Sequence, residues 1–160
     1  MCIRDRPHTY VGGFLAIWII LYGFVQSAAP KIVNLESQND NRRAAVNWAM
    51  LLAITPVLIM AALHLSWPVT QTIVIGLFVF GTLFAINSAL HSYLIVHYAS
   101  RENVSLDVGF YYMANAMGRL IGTVLSGFLF QRFNLEICLA VSAVFVVIAA
   151  FISLGLDKAE

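Results

Sequence analysis

Long apolar stretches without charged residues, separated by short polar segments, run along the chain. No Asp, Glu, Lys or Arg occurs from Ala44 to Ser100. Because a hydrocarbon core of about 30 Å needs about 20 helical residues, this stretch holds two crossings, with Leu65–Pro68 as the turn. Lipid forces backbone groups to bond within each segment, which favours helices. The pattern predicts an all-α, polytopic membrane helix bundle with five transmembrane helices, at about residues 10–30, 43–65, 69–98, 106–131 and 135–156.

The first six residues stand apart from the rest of the chain. Met1 to Arg6 read MCIRDR, and Met-Cys-Ile-Arg-Asp is what a common transposon adapter used in DNA sequencing encodes in one frame. We expect residues 1–6 to be a non-native adapter scar and residues 7–160 to be the transmembrane domain, with native sequence missing upstream. An ordinary short N-terminal tail is the alternative, and an in-frame start codon at Met1 in intact genomic DNA would favour it.

Composition excludes several function classes. Of the 160 residues, 61% are hydrophobic and 11% are charged, whereas soluble domains carry about 25% charged residues. A formal net charge of +1 offers no surface for a nucleic acid. Cys2 and Cys138 form neither a disulfide framework nor a metal cluster, and HExxH, GxSxG, phosphate-loop and CxxC motifs are absent from the sequence. We therefore expect a lipid-embedded protein without enzymatic activity, cofactor, metal or nucleic-acid partner.

The basic residues predict an orientation. Cytoplasmic loops of membrane proteins carry an excess of Lys and Arg. Arg132 stands alone on one side of the predicted bundle, whereas the other side carries five basic residues: Lys31, Arg42, Arg43, Arg101 and Lys158. The segment from Lys31 to Arg43 and the C-terminus are therefore expected in the cytoplasm, in a multi-pass protein of the inner (plasma) membrane. The first predicted helix then begins outside, which fits a missing upstream helix.

The fourth predicted helix carries a charge near its middle. A charged residue there costs about 2.5–3.5 kcal/mol on insertion scales, so Arg119 is expected to face protein or a water-filled cavity. Tyr111, Asn115, Arg119 and Thr123 recur every four residues and form one polar stripe on a helix. Two interpretations of Arg119 stay open: contact with an anionic substrate, or a structural charge bonded to backbone carbonyls or to a carboxylate elsewhere.

Small residues form a second row on the same helix, about 60° around from the polar stripe. Ala114, Gly118, Gly122 and Ser126 are also spaced by four. Such a small-residue ladder permits close contact between transmembrane helices. We expect these four residues to pack against a neighbouring helix.

Further polar residues lie in the first and third predicted helices. Asn87 and His91 are four residues apart, and Trp18, Tyr22 and Gln26 share one face of the first helix. Asn87, His91 and Gln26 are candidates for substrate binding. For His91 the alternatives are a packed core residue or, less favoured, a proton carrier. For Trp18 and Tyr22 the alternative is an aromatic row that serves packing, although Gln26 still requires a hydrogen-bond partner.

Two adjacent runs carry a resemblance to a known family. The run FAINSALHSYLIVHYA (residues 84–99), followed by VSLDVGFYYMANAMGRLIGTVLSG (residues 104–127), resembles the organoarsenical efflux permeases of arsenic-resistance operons. The spacing of the spans, the basic loop after the first and the Gly-rich fourth span resemble the C-terminal half of a major facilitator superfamily transporter. The resemblance implies twelve helices in two halves, with these five as the eighth to twelfth, and a substrate site between the halves near mid-membrane.

The resemblance also implies a substrate and a partner. These permeases export 1-arseno-3-phosphoglycerate, a polyanion, and the substrate site is completed by the missing N-terminal half. A guanidinium offers a planar bidentate donor to such groups, so Arg119 would bind the substrate, with Asn115 and Tyr111 adding hydrogen bonds. Two alternatives stay open: a drug- or sugar-type transporter of the same superfamily with an uncharged substrate and a structural Arg119, or a small membrane scaffold protein.

Overall fold

The chain folds into α-helices joined by short connections. The computed structural model describes residues 8–33, 41–99 and 104–155, and within them it contains five helices and no strand. The all-α, five-helix prediction is confirmed. The helices are α1 (His8–Val33), α2 (Asn41–His64), α3 (Val69–Tyr98), α4 (Val104–Arg132) and α5 (Leu135–Ser153). Residues 1–6, for which an adapter origin is expected, lie outside the described residues.

Helix ends differ from the predicted ranges by a few residues. The range 69–98 matches α3 at both ends. The first helix continues past residue 30 to Val33 because Pro30 is accommodated inside its last turn. The last helix ends at Ser153 rather than at residue 156, and Leu154 and Gly155 form a turn there whose backbone N–H groups bond to Phe151 and Ile152. Residue 156 itself lies outside the described part.

Tight turns join α2 to α3 and α4 to α5. The α2–α3 turn contains Ser66 in the left-handed region, with φ of 60°, and Pro68 in extended backbone immediately before α3. Proline suits that position because it has no backbone N–H to leave unpaired. At the other turn, the Asn134 side chain accepts a 2.9 Å hydrogen bond from the Ile137 N–H and caps α5. Both turns are short enough to make their helices antiparallel neighbours.

Aromatic side chains pack α1 against α3. Phe14 meets Phe78 edge to face with centroids 5.7 Å apart, and Tyr22 lies 5.9 Å from Phe84. Residue numbers increase together along the two helices, so α1 and α3 are parallel. Parallel neighbours are what two crossings separated by one return crossing require, and α2 supplies that return.

A compact apolar core lies where α1, α2 and α3 meet. Its buried members are small or aliphatic side chains: Ala29, Val33, Ala44, Ala45, Ile86, Leu90 and Leu94. The second helix is central, because it packs along both α3 and α5. By contrast, α4 contacts α3 and α5 only sparsely and contains no buried residue. The polar stripe and the small-residue ladder therefore lie on the least covered helix among the described residues.

Candidate functional site

Arg119 lies near the middle of α4. At 1.5 Å per residue, it is about 20 Å from either end of this helix, and its side chain is exposed. A 29-residue helix is longer than the hydrocarbon core requires, so its centre falls deep in a bilayer. The guanidinium is therefore at the depth where an uncovered charge is most unfavourable.

Hydrogen bonds within α4 organise the polar stripe. The Arg119 Nε–H donates to Asn115 Oδ1 over 3.2 Å. The Thr123 hydroxyl donates to the Arg119 carbonyl over 2.8 Å, one turn further along. Because Asn115 and Thr123 bond to different parts of Arg119, Asn115 is the side chain that orients the guanidinium.

The outer edge of the guanidinium is unengaged. Arginine has five N–H donors, and the bond to Asn115 uses one of them. Among the described residues, no carboxylate lies within ion-pair distance of Arg119 and no backbone carbonyl accepts from its guanidinium. Two amino groups are therefore left in the planar arrangement that suits bidentate contact with carboxylate, phosphate or arsenate oxygens.

Tyr111 begins the polar stripe, one turn before Asn115. Its half-buried ring contacts Tyr112 edge to face, with centroids 5.4 Å apart. The chemistry available at this position is the phenolic hydroxyl, which both donates and accepts hydrogen bonds. The backbones of Tyr111 and Arg119 are about 12 Å apart along the helix axis, and the Arg119 side chain extends back toward Asn115 between them.

Asn87 and His91 are linked within α3. The His91 Nδ1 lies 2.8 Å from the Asn87 backbone carbonyl oxygen. A carbonyl only accepts hydrogen bonds, so a hydrogen bond there requires a proton on Nδ1. The side-chain oxygen of Asn87 is buried without a hydrogen-bond partner, although buried polar atoms normally have one. This atom is an acceptor available to a donor group.

Gln26 lies at the level of this α3 pair. Trp18 and Tyr22 stack in the preceding turns of α1, and the Tyr22–Phe84 contact comes one turn before Gln26 and three residues before Asn87. Gln26, His91 and Tyr111 are each about 10 Å from the nearer end of their helix. We call this level the polar layer. Arg119 lies deeper, and no hydrogen bond among the described side chains connects the α4 stripe to the α1 and α3 groups.

The partner helix of the aromatic face was missed from sequence. The Trp18 indole N–H donates to the Leu77 carbonyl over 2.9 Å, and the ring lies over Gly81, where an added Cβ would be 2.8 Å from it. Gly76 similarly accommodates the Ile59 side chain. The two glycines in an otherwise bulky α3 segment were the available signal for these close approaches.

The small-residue ladder faces open space over most of its length. An added Cβ at Gly118 or Gly122 would meet nothing within 4 Å. At the last rung, the Ser126 backbone carbonyl is 3.4 Å from the Cys138 thiol, which donates to it from α5. Packing of the whole ladder against a neighbouring helix stays a prediction, because the described helices reach only its end.

An apolar groove of about 400 Å³ lies away from the polar stripe, between α2 and α3 beside their turn. The exposed Trp67 is at its rim, and buried Thr72 has a hydroxyl without a hydrogen-bond partner. Its lining includes Thr55, Ile59, Gln71, Gly76 and Val79. These residues provide no charge for an ionic ligand.

Comparisons with models of protein families, with curated proteins and with solved structures find no match to this chain. The class of protein is therefore inferred from the fold. Five described helices are each long and apolar enough to cross a membrane, which fits a multi-pass membrane protein.

Proposed function

We propose that this chain is the C-terminal part of a secondary active transporter of the major facilitator superfamily, working by alternating access. Its proposed substrate is an anionic organoarsenical such as 1-arseno-3-phosphoglycerate, exported across the inner (plasma) membrane. The observation that carries the proposal is Arg119: a guanidinium at mid-helix depth whose two amino groups have no partner among the described residues. A transporter provides the aqueous cavity that such a charge needs.

Packing of the helices supports the superfamily assignment. Each half of these transporters contains two three-helix repeats related by a pseudo-two-fold axis. With α3, α4 and α5 as one repeat, α1 and α2 are the last two helices of the other. In this symmetry α1 corresponds to α4, and α3 corresponds to the helix that precedes α1 in the proposed transporter. Because α3 packs against α1, that preceding helix is expected to pack against α4. The proposal thus explains why the described chain leaves α4 uncovered.

The polar groups support an elongated anionic substrate. Arg119 provides the positive charge, and Asn115 and Tyr111 continue the same stripe toward the polar layer. Gln26 and His91 offer further hydrogen-bonding groups at that level, and Asn87, one turn deeper on α3, adds a buried acceptor without a partner. In the proposed transporter the N-terminal half is the partner that closes the cavity opposite α4.

Transport by everted membrane vesicles tests the proposal. The full-length protein containing this chain is expected to accumulate the organoarsenical, and Arg119→Ala should reduce uptake about 10- to 100-fold, since bonds to charged groups contribute about 1.5–3 kcal/mol. Arg119→Lys keeps the charge without the planar fork and should recover part of the activity. Arg132→Ala is the matched control, because Arg132 lies at the end of α4 over the Phe128 ring.

Three results would contradict the proposal. Unchanged transport by a normally inserted Arg119→Ala variant would remove the role of the guanidinium. Loss of membrane insertion with Arg119→Ala alone, without a selective transport defect, would favour a structural arginine and an uncharged substrate. If the full-length protein moves no solute at all, the scaffold interpretation gains instead.

A further inference from the structure

We infer that Asn115 is a positioning residue that turns the two amino groups of Arg119 outward, so that the site selects oxyanions over neutral hydroxylated molecules. This inference rests on the proposed function and adds the specificity of the same site. It follows from the 3.2 Å bond between Arg119 Nε and Asn115 Oδ1.

The direction of the Asn115 amide follows from its partner. A guanidinium Nε–H only donates, so the atom facing it is the amide oxygen and not the amide nitrogen. The Asn115 amino group therefore points elsewhere with its two N–H donors. Its carbonyl oxygen is turned toward Arg119 and uses one of its two lone pairs in this bond.

The groups that face outward from the Arg119–Asn115 pair are mainly donors. The two amino groups of Arg119 and the amino group of Asn115 have no hydrogen-bond partner among the described residues. An oxyanion accepts from all of these groups. A neutral polyol brings hydroxyl hydrogens that need acceptors, and each buried group left unpaired weakens binding.

The bond also limits how an oxyanion docks. With Nε engaged, two oxygens of the anion meet the edge formed by the two amino groups. Holding the long arginine chain in one arrangement before the substrate arrives reduces the rotamer entropy that binding would otherwise lose. Asn115 acts through Arg119, and its removal should weaken binding while leaving the rearrangement of the helices intact.

Kinetics in the vesicle assay test the inference. Asn115→Ala is expected to raise the KM for the organoarsenical about tenfold, which corresponds to loss of about 1.4 kcal/mol, with the maximal rate within twofold. Asn115→Asp should weaken transport at least as much, because the carboxylate pairs with the guanidinium and repels the substrate. Ser142→Ala is the control, since it deletes another hydrogen bond between residues four apart, from the Ser142 hydroxyl to the Cys138 backbone carbonyl on α5.

Two further measurements distinguish a positioning role of Asn115 from a structural one: inhibition by competing solutes and a double-mutant cycle with Arg119. Excess 3-phosphoglycerate should inhibit wild-type transport, and excess glycerol should not; in Asn115→Ala the inhibition constant for 3-phosphoglycerate should rise in parallel with the KM. In the Arg119→Lys background, which lacks Nε, Asn115→Ala should change the KM less than twofold, because coupled residues are non-additive.

Separate outcomes overturn the inference and the proposed function. Unchanged KM in Asn115→Ala, or an equal KM increase in the wild-type and Arg119→Lys backgrounds, overturns the positioning role while Arg119 keeps its place. Inhibition by glycerol as strong as that by 3-phosphoglycerate overturns the selectivity for oxyanions. If Arg119→Ala itself transports normally, the proposed function fails first.

Discussion

At the residue scale, the contact of Trp18 with α3 depends on the absence of a side chain. The indole ring occupies the space that a Cβ at Gly81 would need, and its N–H reaches the Leu77 carbonyl at 2.9 Å. Glycine inside a helix is normally unfavourable by about 1 kcal/mol relative to alanine. Close approach of α1 and α3 offsets that disadvantage here.

Gly81→Ala should therefore destabilise the protein although it raises helix propensity. An added methyl 2.8 Å from the Trp18 ring forces the ring or the helices apart, and such overpacking costs about 1–3 kcal/mol. Gly23→Ala is the matched control, because nothing lies within 4 Å of a Cβ there. Thermal unfolding of the detergent-solubilised protein should show a lower Tm for Gly81→Ala only. An equal change in the two variants would refute the close contact.

Individual residues also show where sequence reasoning stopped. Spacing by four placed Asn115 and Arg119 on one face, and helix geometry alone permits their bond. The same spacing linked Asn87 to His91, but the actual bond involves the Asn87 carbonyl. Which side-chain atom is left over depends on rotamers and neighbouring helices, and periodicity does not encode these.

At the element scale, the existence of each helix was predictable and its neighbours were not. The length of an uncharged stretch predicts a transmembrane helix, and the polar residues at the turns predict where that helix ends to within a few positions. Which helices are neighbours depends on which apolar faces meet. The sequence does not distinguish these faces, because the lipid-exposed and the helix-facing sides of a transmembrane helix are both apolar. The parallel pairing of α1 with α3 and the peripheral position of α4 emerged only from the structure.

Cross-linking of paired cysteines should reveal the parallel pairing. In a background with Cys2→Ser and Cys138→Ser, the pair Phe14→Cys with Phe78→Cys replaces rings whose centroids are 5.7 Å apart and should cross-link with a short bifunctional maleimide. Phe14→Cys with Val96→Cys is the control, since Val96 is about 27 Å further along α3. Preferential cross-linking of the control pair, measured by gel mobility after cleavage between α1 and α3, would make the helices antiparallel.

At the whole-molecule scale, the five helices define a path through the membrane. The turn at Leu65–Pro68 and the turn at Phe133 are separated by two crossings and so lie on one side. Lys31 lies near the end of α1, one crossing before the first turn, and so faces the other side. An odd number of crossings also separates the start of α1 from the end of α5. This alternation follows from the helices, but which side is cytoplasmic rests on the basic residues alone.

Labelling of single cysteines tests that orientation. In the background without Cys2 and Cys138, Leu65→Cys and Phe133→Cys alter exposed positions (72% and 63%) and should react with a membrane-impermeant maleimide in intact cells. Lys31→Cys should react only after permeabilisation, because five of the six basic residues counted above place its side in the cytoplasm. The reverse labelling pattern would show that the protein has the opposite orientation in the membrane, which would contradict the orientation assumed for the proposed efflux. Labelling of Leu65→Cys and Phe133→Cys from opposite sides would instead contradict the order of crossings.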